Sequence, residues 1–200
     1  MLIIGGVLWL ILWFLAAYAI FFGIVIAIGA SGFFSAYYFD IVNSTACGKD
    51  EACDWPDIRD LRGDILAPWL CALSASLCSF APLIVIGFIT EPPAILRTAL
   101  LVIGYAHLPM ALLSVAIFRD PRAAFWSNTI PAIMQCLPQY AVLFLIFGLL
   151  TIANLIVHKA LSSVPVAGRL VSSFLSIYAL MMSARLLGLF YRENSIIFDR

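Results

Sequence analysis

Long uncharged apolar runs, separated by short polar stretches, dominate the pattern along this chain of 200 residues. Because a bilayer core about 30 Å thick takes roughly 20 residues of helix to cross, each such run predicts a membrane-spanning helix. The five predicted spans lie at about residues 2–30, 65–90, 94–118, 137–157 and 164–191. The pattern therefore predicts an all-α fold, a polytopic transmembrane helix bundle with short interfacial helices, forming a single membrane domain over residues 1–200.

The first apolar run is the longest, since no charged residue occurs from Met1 to Tyr38. It is too long for one straight crossing and too short for two crossings with a turn. We predict one helix over about residues 2–30, with the alternative that it runs on past Gly32 into an interfacial segment, FFSAYYF. A cleavable signal peptide is the rival interpretation, but the run far exceeds an h-region of roughly 7–15 residues and no basic segment precedes it.

The stretch between the third and fourth spans breaks the pattern. Residues 123–160 contain Pro131 and Pro138 and are too few for two full crossings with a turn. Because proline interrupts helical hydrogen bonding, we predict an interfacial or partly inserted piece, AAFWSNTIPAIMQC, before the fourth span.

Composition agrees with lipid as the main solvent. The chain is 64% hydrophobic and 11% charged, whereas soluble domains are about 45–50% apolar and about 25% charged. Its net charge is zero, so nothing indicates a nucleic-acid partner. The expected partners are membrane lipids and other membrane protein subunits.

The basic residues of the loops indicate which way the chain crosses. Five spans place on one side Lys49, Arg59, Arg62, Arg119, Arg122, Arg192 and Arg200. The opposite side has Arg97, Lys159 and Arg169. Since short cytoplasmic loops carry the excess of Lys and Arg, seven against three predicts that the C-terminus is cytoplasmic and the N-terminus is outside.

The loop STACGKDEACDWPDIRDLRGD, residues 44–64, gathers six of the eleven acidic residues. An apolar stripe at steps of 3, 3 and 4 is formed by Trp55, Ile58, Leu61 and Ile65. Such a stripe predicts an amphipathic interfacial helix over about residues 55–64, with Trp55 as its anchor. No metal site is predicted, because the acids do not match the EF-hand spacing and the loop has only two of the four Cys or His ligands that a structural zinc needs.

The two cysteines of this loop bear on the topology. Cys47 and Cys53 would form a plausible short disulfide if the loop were outside the cell. In the predicted cytoplasmic, reducing compartment the pair stays free, so its redox state tests the predicted orientation.

His107 is the candidate binding residue, because it lies near the middle of the third predicted span. An ionisable group at this depth is a functional hypothesis by default, here as a cofactor ligand, a pigment site or a proton relay. The alternative is a neutral imidazole bonded to a neighbouring helix, at a carbonyl freed by Pro109. His158 lies roughly 15 Å away along the bilayer normal, which argues against a haem held by both, and no cofactor is predicted.

Two arginines of the fifth span are predicted interface anchors. Arg185 lies inside the span, from where its side chain can snorkel to the cytoplasmic interface, and Arg192 follows at i+7 on the same helix face. The alternative is an ion pair with an acid of the first loop, or a lipid headgroup contact.

Small residues recur along one face of three spans, which favours close helix packing in lipid. In the first span they are Ala16, Ala19, Gly23, Ala27 and Ala30; in the second they are Ala67, Cys71, Ser74, Cys78 and Ala81; in the fifth they are Ser172, Ser176, Ala179 and Ser183. Cys71 and Cys78 are therefore interpreted as packing residues.

Two segments carry a family resemblance. STACGKDEACDWPDIRDL after the first span and ARLLGLFYRENSIIFDR at the C-terminus resemble a group of uncharacterised bacterial multi-pass membrane proteins. This group is loosely similar to the Yip-type five-pass membrane domain. The resemblance implies five helices and a cytoplasmic loop in a bacterial inner membrane, and it implies no reaction.

The chain contains none of the motifs HExxH, GxxxxGK[ST], CxxC and GxSxG, so no positive case for an enzyme arises and no catalytic residue is predicted. The predicted function is a non-enzymatic structural or accessory subunit that packs against other membrane proteins. The alternative is a small transporter or channel component that uses His107 and the interrupted fourth span, since transporters often use broken helices at mid-membrane.

Overall fold

A computed structural model describes residues 2–49, 61–161 and 167–195 of the chain. Within these residues all regular structure is helical and no strand occurs. The six α-helices are α1 (Leu2–Ala46), α2 (Ala67–Ile89), α3 (Ala94–Phe118), α4 (Trp126–Gln135), α5 (Leu137–Leu161) and α6 (Ala167–Glu193). A π-helix, Leu61–Leu66, precedes α2, and a 3-10 helix, Pro121–Ala124, precedes α4.

Five of these helices, all except α4, are long and apolar enough to cross a membrane. The predicted fold class is therefore confirmed, and the chain is an integral membrane protein. The stretch predicted as an interfacial piece forms the 3-10 helix and the short helix α4. Of the predicted loop helix over residues 55–64, residues 55–60 lie outside the described part, and residues 61–64 begin the π-helix.

Helix α1 extends well beyond its predicted end at residue 30 and continues to Ala46. Its length of about 67 Å is roughly twice the thickness of a bilayer core. The continuation is stabilised by packing, because Ala36, Phe39 and Val42 are buried in the bundle. The helix ends before Gly48, whose φ of 72° is the left-handed conformation that glycine adopts at helix C-termini.

The contacts between helices define their directions. Helices α2 and α3 are antiparallel neighbours, and α5 and α6 are antiparallel, with Asn154 beside Ser176 and Tyr140 beside Phe190. Helices α1 and α6 run parallel, as five alternating crossings require. Helix α3 lies at the centre, since half of its candidate span is buried.

Gly104 and Gly188 mark close approaches between pairs of α-helices. A Cβ added at Gly104 would lie 2.6 Å from the ring of Phe80, and one added at Gly188 would lie 2.7 Å from the carbonyl oxygen of Val42. Small residues let helix backbones approach this closely in lipid. Gly104 thus permits the α2–α3 contact, and Gly188 permits the α1–α6 contact.

We expect Gly104→Ala to destabilise the protein by about 1–3 kcal/mol, because the added methyl group overpacks the α2–α3 contact. Thermal unfolding of the purified protein in detergent measures this loss. Gly148→Ala is the matched control, since a Cβ at Gly148 meets no atom within 4 Å. Equal melting temperatures for the two variants would contradict the close approach of α2 and α3.

Candidate functional site

The imidazole of His107 lies in an enclosed polar cluster between α2, α3 and α4. His107 is 3% exposed. Its Nδ1 lies 2.9 Å from Ser79 Oγ on α2, and its Nε2 lies 2.6 Å from Thr129 Oγ1 on α4. The ring stacks on Trp126 with 4.2 Å between ring centroids and an interplanar angle of 4°. Both ring nitrogens and one ring face therefore have partners within the protein.

A proline in α2 helps to position this cluster. Pro82 has no backbone N–H, so the carbonyl of Cys78, four residues earlier, loses its helical partner. The indole Nε1–H of Trp126 donates to that carbonyl over 2.7 Å. The bond ties the first turn of α4 to α2 and places the indole against the imidazole.

The hydroxyl groups around His107 suit a neutral imidazole. Ser79 donates to the carbonyl of Ala75 over 2.7 Å, so its oxygen accepts from the Nδ1–H of His107. The Nε2 atom is then the remaining acceptor of the ring, and the Thr129 hydroxyl donates to it over 2.6 Å. The distance from Thr129 Oγ1 to the carbonyl oxygen of Phe125 is longer, at 3.2 Å. A neutral imidazole has one donor and one acceptor, and each is satisfied here.

This arrangement differs from the predicted bond to a carbonyl freed by Pro109. His107 bonds to hydroxyl groups of two neighbouring helices. The proline that frees a carbonyl in this cluster is Pro82, and the freed carbonyl of Cys78 accepts from Trp126. Sequence reasoning missed Ser79, Thr129 and Trp126. The available signal was a proline inside a span, which leaves the carbonyl four residues before it in need of a donor.

Among residues 2–49, 61–161 and 167–195, no group of three or more His, Cys, Asp or Glu is placed to hold a metal ion. His158 is exposed in the last turn of α5, whereas His107 is buried beside α2 and α4. The two histidines therefore have different environments, and the contacts of His107 are those of a packing and hydrogen-bonding residue.

The predicted anchors lie on the surface where the structure describes them. Arg185 and Arg192 are exposed on α6, and a guanidinium nitrogen of Arg192 approaches Gly48, at 3.8 Å from the position of a Cβ there. Trp55 lies outside the described residues, as do the loop acids from Asp50 to Asp60. The predicted roles of these anchors stay predictions.

A second polar cluster, which was not predicted, lies at the C-terminus of α3. The side-chain amide of Asn43 donates to the carbonyl of Ala116 over 3.1 Å, so α1 caps one of the last carbonyls of α3. Arg119, in the left-handed conformation, lies 3.6 Å from the carboxylate of Asp40. The pair joins the same two helices, but it is largely exposed and is worth about 0–1 kcal/mol.

The fold and these clusters define an integral membrane bundle whose intramembrane polar groups bond to one another. Comparisons with protein-family models, curated proteins and solved structures find no match for this chain.

We expect Thr129→Val to destabilise the protein by about 1–2 kcal/mol, because the isosteric change leaves Nε2 of the buried His107 without its donor. Thr98→Val is the matched control, since the Thr98 hydroxyl is exposed and donates to the carbonyl of Ala94 in its own helix. Thermal unfolding in detergent measures both variants. Similar losses for Thr98→Val and Thr129→Val would contradict the assigned role of Thr129.

Proposed function

We propose that this protein is a non-enzymatic structural or accessory subunit, which packs through α1 against another membrane protein. The observation that carries the proposal is the exposure of residues 20–31 of α1. Of these residues, only Ile28 is partly buried, and the others are exposed around the whole helix. A helix that leaves its bundle with an apolar surface on every side is suited to contact another protein within the bilayer.

Three members of the small-residue stripe of the first span lie on this exposed segment. Gly23, Ala27 and Ala30 are exposed, and a Cβ at Gly23 or Gly29 would meet no atom within 4 Å. The corresponding stripe of α6 is covered, since Ser172 is buried and Ser176, Ala179 and Ser183 are partly buried. The described part of the α1 stripe thus offers a surface for close helix packing that no other described helix of this chain covers. Elsewhere, lipid is enough to solvate the bulky exposed side chains.

The surroundings of His107 favour this proposal over transport. A transporter site would need access to the imidazole from water or from a substrate path. The imidazole is 3% exposed and is held between Ser79, Thr129 and Trp126. Its contacts support a role in joining α2, α3 and α4.

We expect Gly23→Leu to reduce recovery of the partner protein by about tenfold, which corresponds to about 1.4 kcal/mol. The added side chain would block close approach to α1 but meets no atom of this chain. The measurement is purification in mild detergent from native membranes, with quantitative mass spectrometry of co-purifying proteins. Gly148→Leu on α5 is the matched control, since a Cβ there is equally uncontacted.

Equal partner recovery with Gly23→Leu and Gly148→Leu would contradict docking through α1. A wild-type chain that consistently purifies alone would contradict the accessory-subunit role itself. Thermal unfolding of both variants checks that neither change acts through the fold.

We further propose a bacterial inner membrane, with the N-terminus outside and the C-terminus in the cytoplasm. The orientation is supported by the excess of basic residues on the side of Lys49, Arg62, Arg119, Arg122 and Arg192, compared with the side of Arg97, Lys159 and Arg169.

We expect Cys47 to resist an impermeant maleimide in intact cells and to react after permeabilisation, because it is exposed on the proposed cytoplasmic side. The experiment uses a Cys53→Ala variant, so that labelling of this loop reports on Cys47 alone. Glu91→Cys, in the exposed turn between α2 and α3, supplies the control for the outer side. Labelling of Cys47 in intact cells would reverse the proposed orientation.

A further inference from the structure

A cleft of about 800 Å³ lies at the C-terminal end of α3. It is bounded by the last turns of α3, the 3-10 helix and one face of α4. Its lining includes Ser114, Phe118, Asp120, Arg122, Asn128 and Gln135. The lining thus combines one cation, one anion, neutral polar groups and apolar surface, and neither the cluster around His107 nor the exposed segment of α1 accounts for it.

The cleft lies at a membrane interface. Helix α3 crosses from Ala94 to Phe118, and charged residues follow immediately as Arg119, Asp120 and Arg122. On the apolar side, Phe118 is 54% exposed, and Ile130 and Met134 of α4 also present exposed side chains. A ligand in this cleft can therefore place charged groups at the end of α3 and hydrocarbon along Phe118 and α4.

Arg122 is held by its backbone, and its guanidinium is left for an anion. Its N–H donates to Asp120 Oδ1 over 2.9 Å, and its carbonyl accepts from Asn128 Nδ2 over 3.1 Å. No acid within the described residues forms an ion pair with its side chain. A guanidinium fixed at its base matches a phosphate group in geometry and charge.

Asp120 supplies the opposite charge in the same cleft. One carboxylate oxygen accepts from Arg122 N–H and starts the 3-10 helix, which leaves the other oxygen able to accept from an ammonium group. The cleft lining contains one Arg and one Asp, so it suits a net-neutral head group with both charges better than a net-anionic one. A primary ammonium can donate to Asp120, and Gln135 adds an amide oxygen to the same lining. A quaternary ammonium has no N–H to donate.

We propose that this cleft binds a phospholipid whose head group carries both a phosphate and a primary amine, as in phosphatidylethanolamine. The phosphate lies on Arg122, the amine lies on Asp120, and the lipid's hydrocarbon follows Phe118 and the exposed face of α4.

Detergent-purified protein, titrated with phosphatidylethanolamine, phosphatidylglycerol or phosphatidylcholine and analysed by native mass spectrometry, tests the proposal. We expect the amine-bearing lipid to be retained several-fold better than either other lipid, by the charge and hydrogen-bond match. Arg122→Gln should lower its retention by about tenfold. Arg97→Gln, an exposed cation at the opposite end of the same helix, should leave retention unchanged.

Asp120→Asn tests the amine separately, because Asn keeps the oxygen that accepts from Arg122 N–H and removes the charge. We expect it to abolish the preference for phosphatidylethanolamine over phosphatidylcholine while the protein keeps its melting temperature. If Arg122→Gln does not fold, Gln135→Ala provides an independent test, and we expect it to reduce the retention of phosphatidylethanolamine.

Equal retention of the three lipids, or equal effects of Arg122→Gln and Arg97→Gln, would overturn the proposal. Competition arms with inorganic phosphate and with free phosphoethanolamine separate a lipid from a soluble ligand. Failure of both to displace the lipid at millimolar concentration supports the lipid site, whereas displacement by either would assign the cleft to a soluble phosphate compound.

Discussion

The structure depends on the requirement that backbone polar groups be satisfied within the protein where no water is present. Pro82 leaves the carbonyl of Cys78 without a donor inside a membrane span, and Trp126 supplies one. The short helix α4 is thereby fixed against α2. Thr129, three residues after Trp126, then reaches His107, and Ser79 reaches it from the other side. The side chain that supplies the missing donor to α2 is thus the same one that stacks on the enclosed histidine of α3.

The same requirement explains the C-terminal end of α3. Arg119 takes the left-handed conformation, and the carbonyl of Ala116 loses its continuing partner there. Asn43 of α1 satisfies that carbonyl, and Asp120 satisfies the N–H of Arg122 in the next turn. Among the described residues, no buried side-chain nitrogen or oxygen lacks a hydrogen-bond partner. Polar residues at this end therefore serve first to end helices, and the charges that remain line a cleft.

The sequence predicted the class of fold because hydropathy over about 20 residues reports directly on bilayer crossing. It did not predict the end of α1, because FFSAYYFDIVNSTA is mixed in polarity and stays helical through burial of Ala36, Phe39 and Val42 against other helices. Of the candidate site, the sequence predicted His107 but not its partners. The depth of His107 was readable from its place in the third span, but its partners depend on which faces of α2 and α4 meet, a tertiary fact that local periodicity does not contain. Pro82 was the local signal that could have pointed to a donor from another element.

Helix α1 has two parts with different physical demands. From Gly32 onward it packs closely against other helices, since a Cβ added at Gly32 would lie 2.6 Å from Ile65. Farther along, a Cβ added at Gly188 of α6 would lie at a similar distance from Val42 and Thr45. Before Gly32, a Cβ added at Gly23 or Gly29 would meet no atom within 4 Å. The same residue type therefore permits helix packing in one part of α1 and leaves a smooth exposed surface in the other. Because hydrocarbon solvates bulky side chains as readily as small ones, lipid alone gives no reason for a small-residue stripe. The helix contact proposed for α1 would give one, and it would place the exposed part of α1 under the same packing rule as the buried part.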